Sequence, residues 1–260
     1  MPDAAFSADS QTERLVIAGP PHALCGRLRL RNDSGEKLKV RGLAVRNRAG
    51  EKGARQLTAT TMQAAARLRP GEEAMVAMQL AVSGETAPGV YEMEVEVGDR
   101  ILPVQAHVTE HVDFRMEPSA VTLLVGSNLA IEREFVAENA GNVPLPLGER
   151  CETPLLDSID FFTALREGLR RTVGEELKPR VEKILDEIGR VQVGSLVVER
   201  ERVTLRPGER RQMTARFVLP EDIKPSRHYR AVLELYNATL TVDIYTTEKA
   251  GGPRRSAKSA

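Results

Sequence analysis

Along most of this chain, polar and apolar residues alternate with a period of two. Leu28 and Leu30 stand between arginines. Val76, Met78 and Leu80 alternate with Met75, Ala77 and Gln79. Tyr91, Met93, Val95 and Val97 face one way while Val90, Glu92, Glu94 and Glu96 face the other. Successive side chains of an extended strand point to opposite faces, so this pattern predicts half-buried strands. Ala231, Leu233 and Leu235, alternating with Val232, Glu234 and Tyr236, predict a more buried strand. Only over 154–191 does the period change to that of a helix.

The strands recur as a repeat. Leu15–Gly19 answers to Thr122–Gly126, and Leu28–Asn32 to Phe135–Asn139, both at an offset of 107. The next landmarks, Leu68-Arg69-Pro70-Gly71-Glu72 and Leu205-Arg206-Pro207-Gly208-Glu209, match at an offset of 137. Pro88-Gly89-Val90-Tyr91 then answers to Pro225–Tyr229 with one extra residue. The Pro-Gly pairs are turn signals, proline presetting φ and glycine allowing positive φ. Short strands punctuated by turns, without alternating helices, predict a mainly β chain of two tandem β-sandwiches.

Three landmarks per copy carry a family resemblance: the strand ending in Asn with its polar turn, Leu-Arg-Pro-Gly-Glu before a strand, and Pro-x-x-Tyr opening a late strand. Together they resemble bacterial and archaeal immunoglobulin-like domains of cell-surface repeats. The resemblance implies an immunoglobulin-like β-sandwich at 1–110 and another at 111–250; the segment 251–260, basic, small and without apolar anchors, is expected to be a disordered tail. It concerns structural turns and transfers no activity.

The jump in offset means about 30 additional residues in the second copy. Leu155, Ile159, Phe162, Leu165, Leu169 and Val173 recur at helical spacing, and Phe161 widens the stripe. Thr153 suits the N-cap and Pro154 the first turn. After Gly174, Leu177, Val181, Ile184, Leu185 and Ile188 mark a second amphipathic stretch, with Gly189 and Gly194 as stop signals. The sequence thus predicts an α-helical hairpin inserted at about 154–191, covering its own sheet or docking elsewhere.

Charge and chemistry narrow the function classes. Lysine plus arginine equals aspartate plus glutamate, 37 each, so no overall field points to nucleic acid. No apolar run is long enough to span a bilayer. The hairpin segment carries eight acids and seven bases, unlike the basic face of interfacial helices. Met1–Phe6 shows no leader-like pattern, which points to a cytoplasmic protein, and Cys25 and Cys151 read as incidental thiols.

His107-Val108-Thr109-Glu110-His111 is a literal H-x-x-E-H. Zinc chemistry needs that string on a helix; on a strand the two imidazoles stand about 13 Å apart. His22 and His228 stand alone, and Glu92, Glu94 and Glu96 read as a solvated strand face. Asn32-Asp33-Ser34 and Asn237-Ala238-Thr239 are chance matches to the glycosylation pattern. No catalytic residue, metal ligand or cofactor is expected.

These readings point to a non-enzymatic interaction or scaffold protein. Its docking or self-association surface comprises Leu155, Ile159, Phe161, Phe162, Leu165, Leu169, Val173, Leu177, Val181, Ile184 and Ile188. A competing reading is a surface or periplasmic adhesin- or chaperone-like module that adds a strand at a sheet edge.

Overall fold

Alternation becomes strand wherever one side of the chain can be buried, and here it does so throughout both halves. The structure, a computed structural model, describes residues 6–8, 13–47, 57, 59, 61–172, 176–189, 192–248 and 250. Contacts divide the chain into two compact units. One is Met1–Asp113 with Asn139–Pro144 and Arg206–Gly208; the other is Phe114–Glu138, Leu145–Leu205 and Glu209–Ala260. The division falls three residues beyond the boundary expected at 110. The basic tail at 251–260 lies outside the described residues.

The first unit holds β1 (Phe6–Ala8), β2 (Leu15–Gly19), β3 (Leu24–Asn32), β4 (Leu38–Asn47), β5 (Thr61–Leu68), β6 (Glu73–Leu80), β7 (Gly89–Val97) and β8 (Arg100–Val108). Its pairing order is β1-β3-β2-β8-β7-β4-β5-β6, and β6 returns to pair with β3. The expected sandwich is therefore hydrogen-bonded all the way round, as a closed ring of seven strands with β1 attached. Ile17, Leu28, Met78, Met93 and Val104 fill its interior.

The remaining strands are β9 (Phe114–Glu117), β10 (Ala120–Val125), β11 (Ala130–Asn139), β12 (Leu145–Leu147), β13 (Arg150–Asp157), β14 (Gln192–Arg200), β15 (Val203–Leu205), β16 (Arg210–Val218), β17 (His228–Leu235) and β18 (Ala238–Thr246). Helices α1 (Ser158–Arg171) and α2 (Leu177–Gly189) lie between β13 and β14. The eight-stranded order is β10-β18-β17-β13-β14-β16-β11-β9, and β12 pairs with β15 separately. Strand for strand, β9, β10, β11, β13, β14, β16, β17 and β18 take the places of β1 to β8. Both copies include a parallel pair, β2 with β8 and β10 with β18.

Register supports the alignment of the copies at its centre. Leu28 faces Val76 across β3 and β6, and Phe135 faces Met213 across β11 and β16. These pairs differ by the offsets of 107 and 137 read from the sequence. The first strand departs by one residue. Ile17 lies opposite Ala106, and Tyr91 pairs with Ala106 as Tyr229 pairs with Ile244. Leu123 is the residue opposite Ile244, so it is Leu123 that takes the place of Ile17. Leu124, the expected match, is 69% exposed. A one-residue slip sends a strand's side chains to the other face.

One glycine accounts for ring closure. A Cβ on Gly26 would lie 2.6 Å from both Val16 O and Ile17 Cγ2, so only glycine lets β3 approach β2 this closely. Arg133 occupies the equivalent position of β11, and β10 and β11 are not paired among the described residues.

The Asn and Pro-Gly landmarks meet in space. Asn32, fully buried, donates from Nδ2 to Glu36 O and Leu68 O and accepts at Oδ1 from Ser34 N. Its carbonyl accepts from Gly71 N and its own N–H donates to Glu72 O. Asn139 repeats the arrangement: Nδ2 donates to Val143 O, Oδ1 accepts from Gly141 N, and its carbonyl accepts from Gly208 N. Gly71 and Gly208 hold φ of 72° and 74°, the left-handed region that proline-glycine turns require. The burial of Asn32 also removes it as a glycosylation acceptor. The Pro-x-x-Tyr landmark is a tyrosine corner: Tyr91 Oη donates to Ala87 O, and Tyr229 Oη accepts from Lys224 N. That corner at the start of a late strand is a feature of immunoglobulin-type folds.

Two stability outcomes follow. Asn32→Ala and Asn139→Ala each strand buried backbone groups and should lower unfolding free energy by about 2–3 kcal/mol in urea titrations. Gly26→Ala should lower it by about 1–3 kcal/mol through overpacking, whereas Arg133→Ala should change it by less than about 0.5 kcal/mol.

Candidate functional site

The helical pair begins where β13 runs out. Thr153, Leu155 and Asp157 all point inward from that strand, so the expected N-cap at Thr153 and first helical turn at Pro154 are displaced. Alternation continues four residues further than the helical reading allowed, and Leu155, 0% exposed, belongs to the sheet's core rather than to a docking face. Asp157 is the actual N-cap: its Oδ1 accepts from Ile159 N at 2.9 Å and Asp160 N at 3.2 Å. A carboxylate there satisfies orphan N–H groups and opposes the positive end of the helix dipole.

Two cations from the β16–β17 connection fasten this end. Lys224 Nζ donates to Asp160 Oδ2 at 2.9 Å. Arg227 Nη1 lies 3.5 Å from Asp160 Oδ1 and 3.7 Å from Asp157 Oδ1. The cations are themselves held, because Thr246 Oγ1 donates to Lys224 O and accepts from Arg227 N. The hydrogen bond from Lys224 holds the Asp160 carboxyl below the usual carboxylate range, against a smaller opposing effect of desolvation. Asp157, Lys224 and Arg227 went unremarked in the sequence. The first was findable as an Asp three residues ahead of a second acid at a helix start; the cations are distant in sequence.

Small residues set which helical face turns inward. Ala164 and Gly168 are buried on α1, and a Cβ on Gly168 would stand 3.2 Å from Ile184 Cγ1. That close approach joins α1 to α2. Phe161, Leu165 and Ile184 are half-buried around it. The larger apolar residues remain outside: Phe162 is 66% exposed, Leu177 77% and Leu185 60%, with Ile159, Leu169 and Val181 also exposed. The Phe161 and Phe162 rings meet edge to face at 5.7 Å. Val173 lies outside the described residues, as does the side chain of Ile188 on α2. Gly194, read as a stop signal, lies within β14 at φ 78°; α2 ends at Gly189.

Elsewhere, His107 lies on β8 and bonds to Gln105 Oε1, while His111 follows the strand and meets His22 edge to face at 4.9 Å. The H-x-x-E-H string therefore runs off a strand end. Among the described residues, no three His, Cys, Asp or Glu side chains are grouped as a metal site. His228, read as solitary, bonds to Asp243 at 3.0 Å and stacks on Tyr245 at 4.5 Å. Arg230 donates to the same carboxylate, which lies below its ordinary pKa chiefly for that reason. Glu94 and Glu96 pair with Arg46 on the β7 face. Both cysteines are free, and Cys25 is exposed rather than buried.

No protein family description and no curated protein matches the chain. Among solved structures it is similar to a titin fragment, Titin-A168169, at 10% identity and TM-score 0.29, covering 94% of this chain and 99% of that one. It is also similar to the titin Ig tandem domains A164-A165, at 10% identity and TM-score 0.23, covering 95% and 99%. The Pseudomonas aeruginosa CupB2 chaperone matches at 10% identity and TM-score 0.20, covering 90% and 97%. The fold assignment rests instead on strand pairing and the tyrosine corners. No described helix is long and apolar enough to cross a membrane.

The depressed pKa of Asp160 gives the anchor a definite pH dependence. A lowered folded-state pKa contributes stability above the unfolded value, and that contribution is lost as pH falls through the folded one. Lys224→Met should therefore be less stable than the parent at about pH 7, and the gap should narrow as pH falls below the ordinary carboxylate pKa. Paired urea titrations across that pH range measure it.

Proposed function

We propose that this chain is a non-enzymatic interaction protein of two immunoglobulin-type domains, in which the α1–α2 pair of the second is the self-association element. The observation that carries it is the exposure of Phe162, Leu177 and Leu185 on a helical pair whose first helix is pinned to the sheet at its start. Large apolar side chains left exposed on a helical pair fastened to its sheet favour a docking role. The occupant is a second copy of the chain. Both helices carry basic and acidic side chains, with Arg166 beside Glu167 and Glu182 beside Lys183. A rim of both signs complements itself about a two-fold axis, which suits an isologous contact.

Strand addition, the competing reading, has less to work with in the first unit, where β3 and β6 close the ring. Open edges in the second unit are the short β9 and the β10 side.

Sedimentation equilibrium tests the reading directly. The full chain should be a dimer at about 100 µM, and Phe162→Glu with Leu177→Glu should be monomeric with an unchanged unfolding midpoint. Loss of an exposed apolar anchor typically costs about tenfold or more in association. A parent chain that is monomeric at that concentration, or a variant that dimerises as well as the parent, overturns it.

A further inference from the structure

The outer face formed by β3, β4, β5 and β6 carries an open concavity of about 850 Å³. Arg27, Lys39, Arg41 and Arg67 stand on its walls, and among the described residues no acidic side chain lines it. None of the four has an ion-pair partner among the described residues. Elsewhere on the molecule Arg29, Arg31, Arg46, Arg150, Arg211 and Arg216 meet carboxylates. Lys39 and Arg67 are direct cross-strand partners. Like charges placed opposite each other on one face of a sheet are destabilising.

The fold does not require this charge, as the second copy shows. Gln63 and Gln79 face each other in the middle of the concavity. Their counterparts on β14 and β16 are Glu199 and Arg216, which form an ion pair at 3.0 Å. The counterpart of Arg27 is Glu134, which accepts a hydrogen bond from Gln212. Where the second copy is neutralised by its own side chains, the first leaves four cations and two amides open.

We propose that this concave face of the first unit binds an extended acidic peptide segment of a protein partner. Guanidinium and ammonium groups on the walls suit spaced carboxylates. The Gln63 and Gln79 amides can both donate to and accept from a peptide backbone, and the small side chains of Ala65 and Ala77 leave room for a main chain between them. Among the described residues no aromatic side chain lines the concavity, so they offer nucleic-acid bases no stacking platform. The site is independent of the helical face and stands whether or not the chain dimerises.

The test is fluorescence anisotropy of the full chain with fluorescein-labelled Glu-Ser-Glu-Leu-Glu-Ser-Glu-Leu. Its glutamine counterpart and a deoxythymidine oligonucleotide of equal charge serve as comparison probes. The acidic peptide should bind at low salt and weaken as salt rises. Arg41→Glu with Arg67→Glu should weaken it by about tenfold or more, while Arg150→Glu should leave it unchanged. Bound peptide should slow alkylation of Cys25, which lines the concavity, and not of Cys151. If charge reversal lowers the unfolding midpoint, Arg41→Gln with Arg67→Gln provides the same comparison. No binding, binding insensitive to these substitutions, or tighter binding of the oligonucleotide overturns the proposal.

Discussion

Each copy depends on one buried asparagine. An amide sealed away from water must place both its donor and its acceptor, because leaving either unpaired costs about 1–3 kcal/mol. Asn32 meets this by joining the turn after β3 to the end of β5, while its backbone takes the glycine of the Pro-Gly turn. Asn139 does the same after β11. Two loops far apart in sequence are thereby fixed to one residue, and the strands leading into them have no freedom to slip. A tyrosine corner then holds the approach to β7 and to β17. With register secured at these points, the outer faces are free to carry different chemistry.

That division explains which features were legible in the sequence. Alternation at Leu28–Leu30 and Tyr91–Val97 is a local signal, and the strands stand where it places them. The Asn, Pro-Gly and Tyr landmarks were legible because each needs a particular side chain for a particular bond. What failed depended on partners distant in sequence. The match of Ile17 to Leu124 is one residue out, because the parallel partner strand sets that register. Ring closure through Gly26 was invisible, since a glycine in a strand does not reveal what approaches it. The four unpaired cations of the first unit are spread over three strands, so net neutrality of the whole chain concealed them.

The helical pair shows a subtler limit. Its apolar stripe alone left open whether the face covers its own sheet or docks elsewhere. Packing between two helices also rewards small residues that let backbones approach, and here Ala164 and Gly168 take the inward positions. Phe162 and Leu177 are left facing out. Hydrophobic periodicity pointed to helices between β13 and β14, while the inward face is set by small residues outside the apolar stripe. Leu155 was drawn into the stripe because a strand ending in Leu155-Leu156 and a helix beginning at Ser158 share apolar positions across the join; only the capping carboxylate of Asp157 separates them.

Comparison of the copies places functional weight on what they do not share. Apart from the β2–β3 pairing the copies share one strand order, so neither the helices nor the basic concavity is needed to complete a sheet. In the connection after β13, the second copy carries helices that must be fastened by Lys224 and Arg227, at a cost in side-chain freedom that a plain turn would avoid. On the face of β3, the first copy tolerates Lys39 opposite Arg67 where an acid on either strand would relieve the repulsion. The two departures lie on different units and differ in chemistry, one apolar and the other cationic. If the chain uses both proposed surfaces, neither contact need alter the register on which both domains rest.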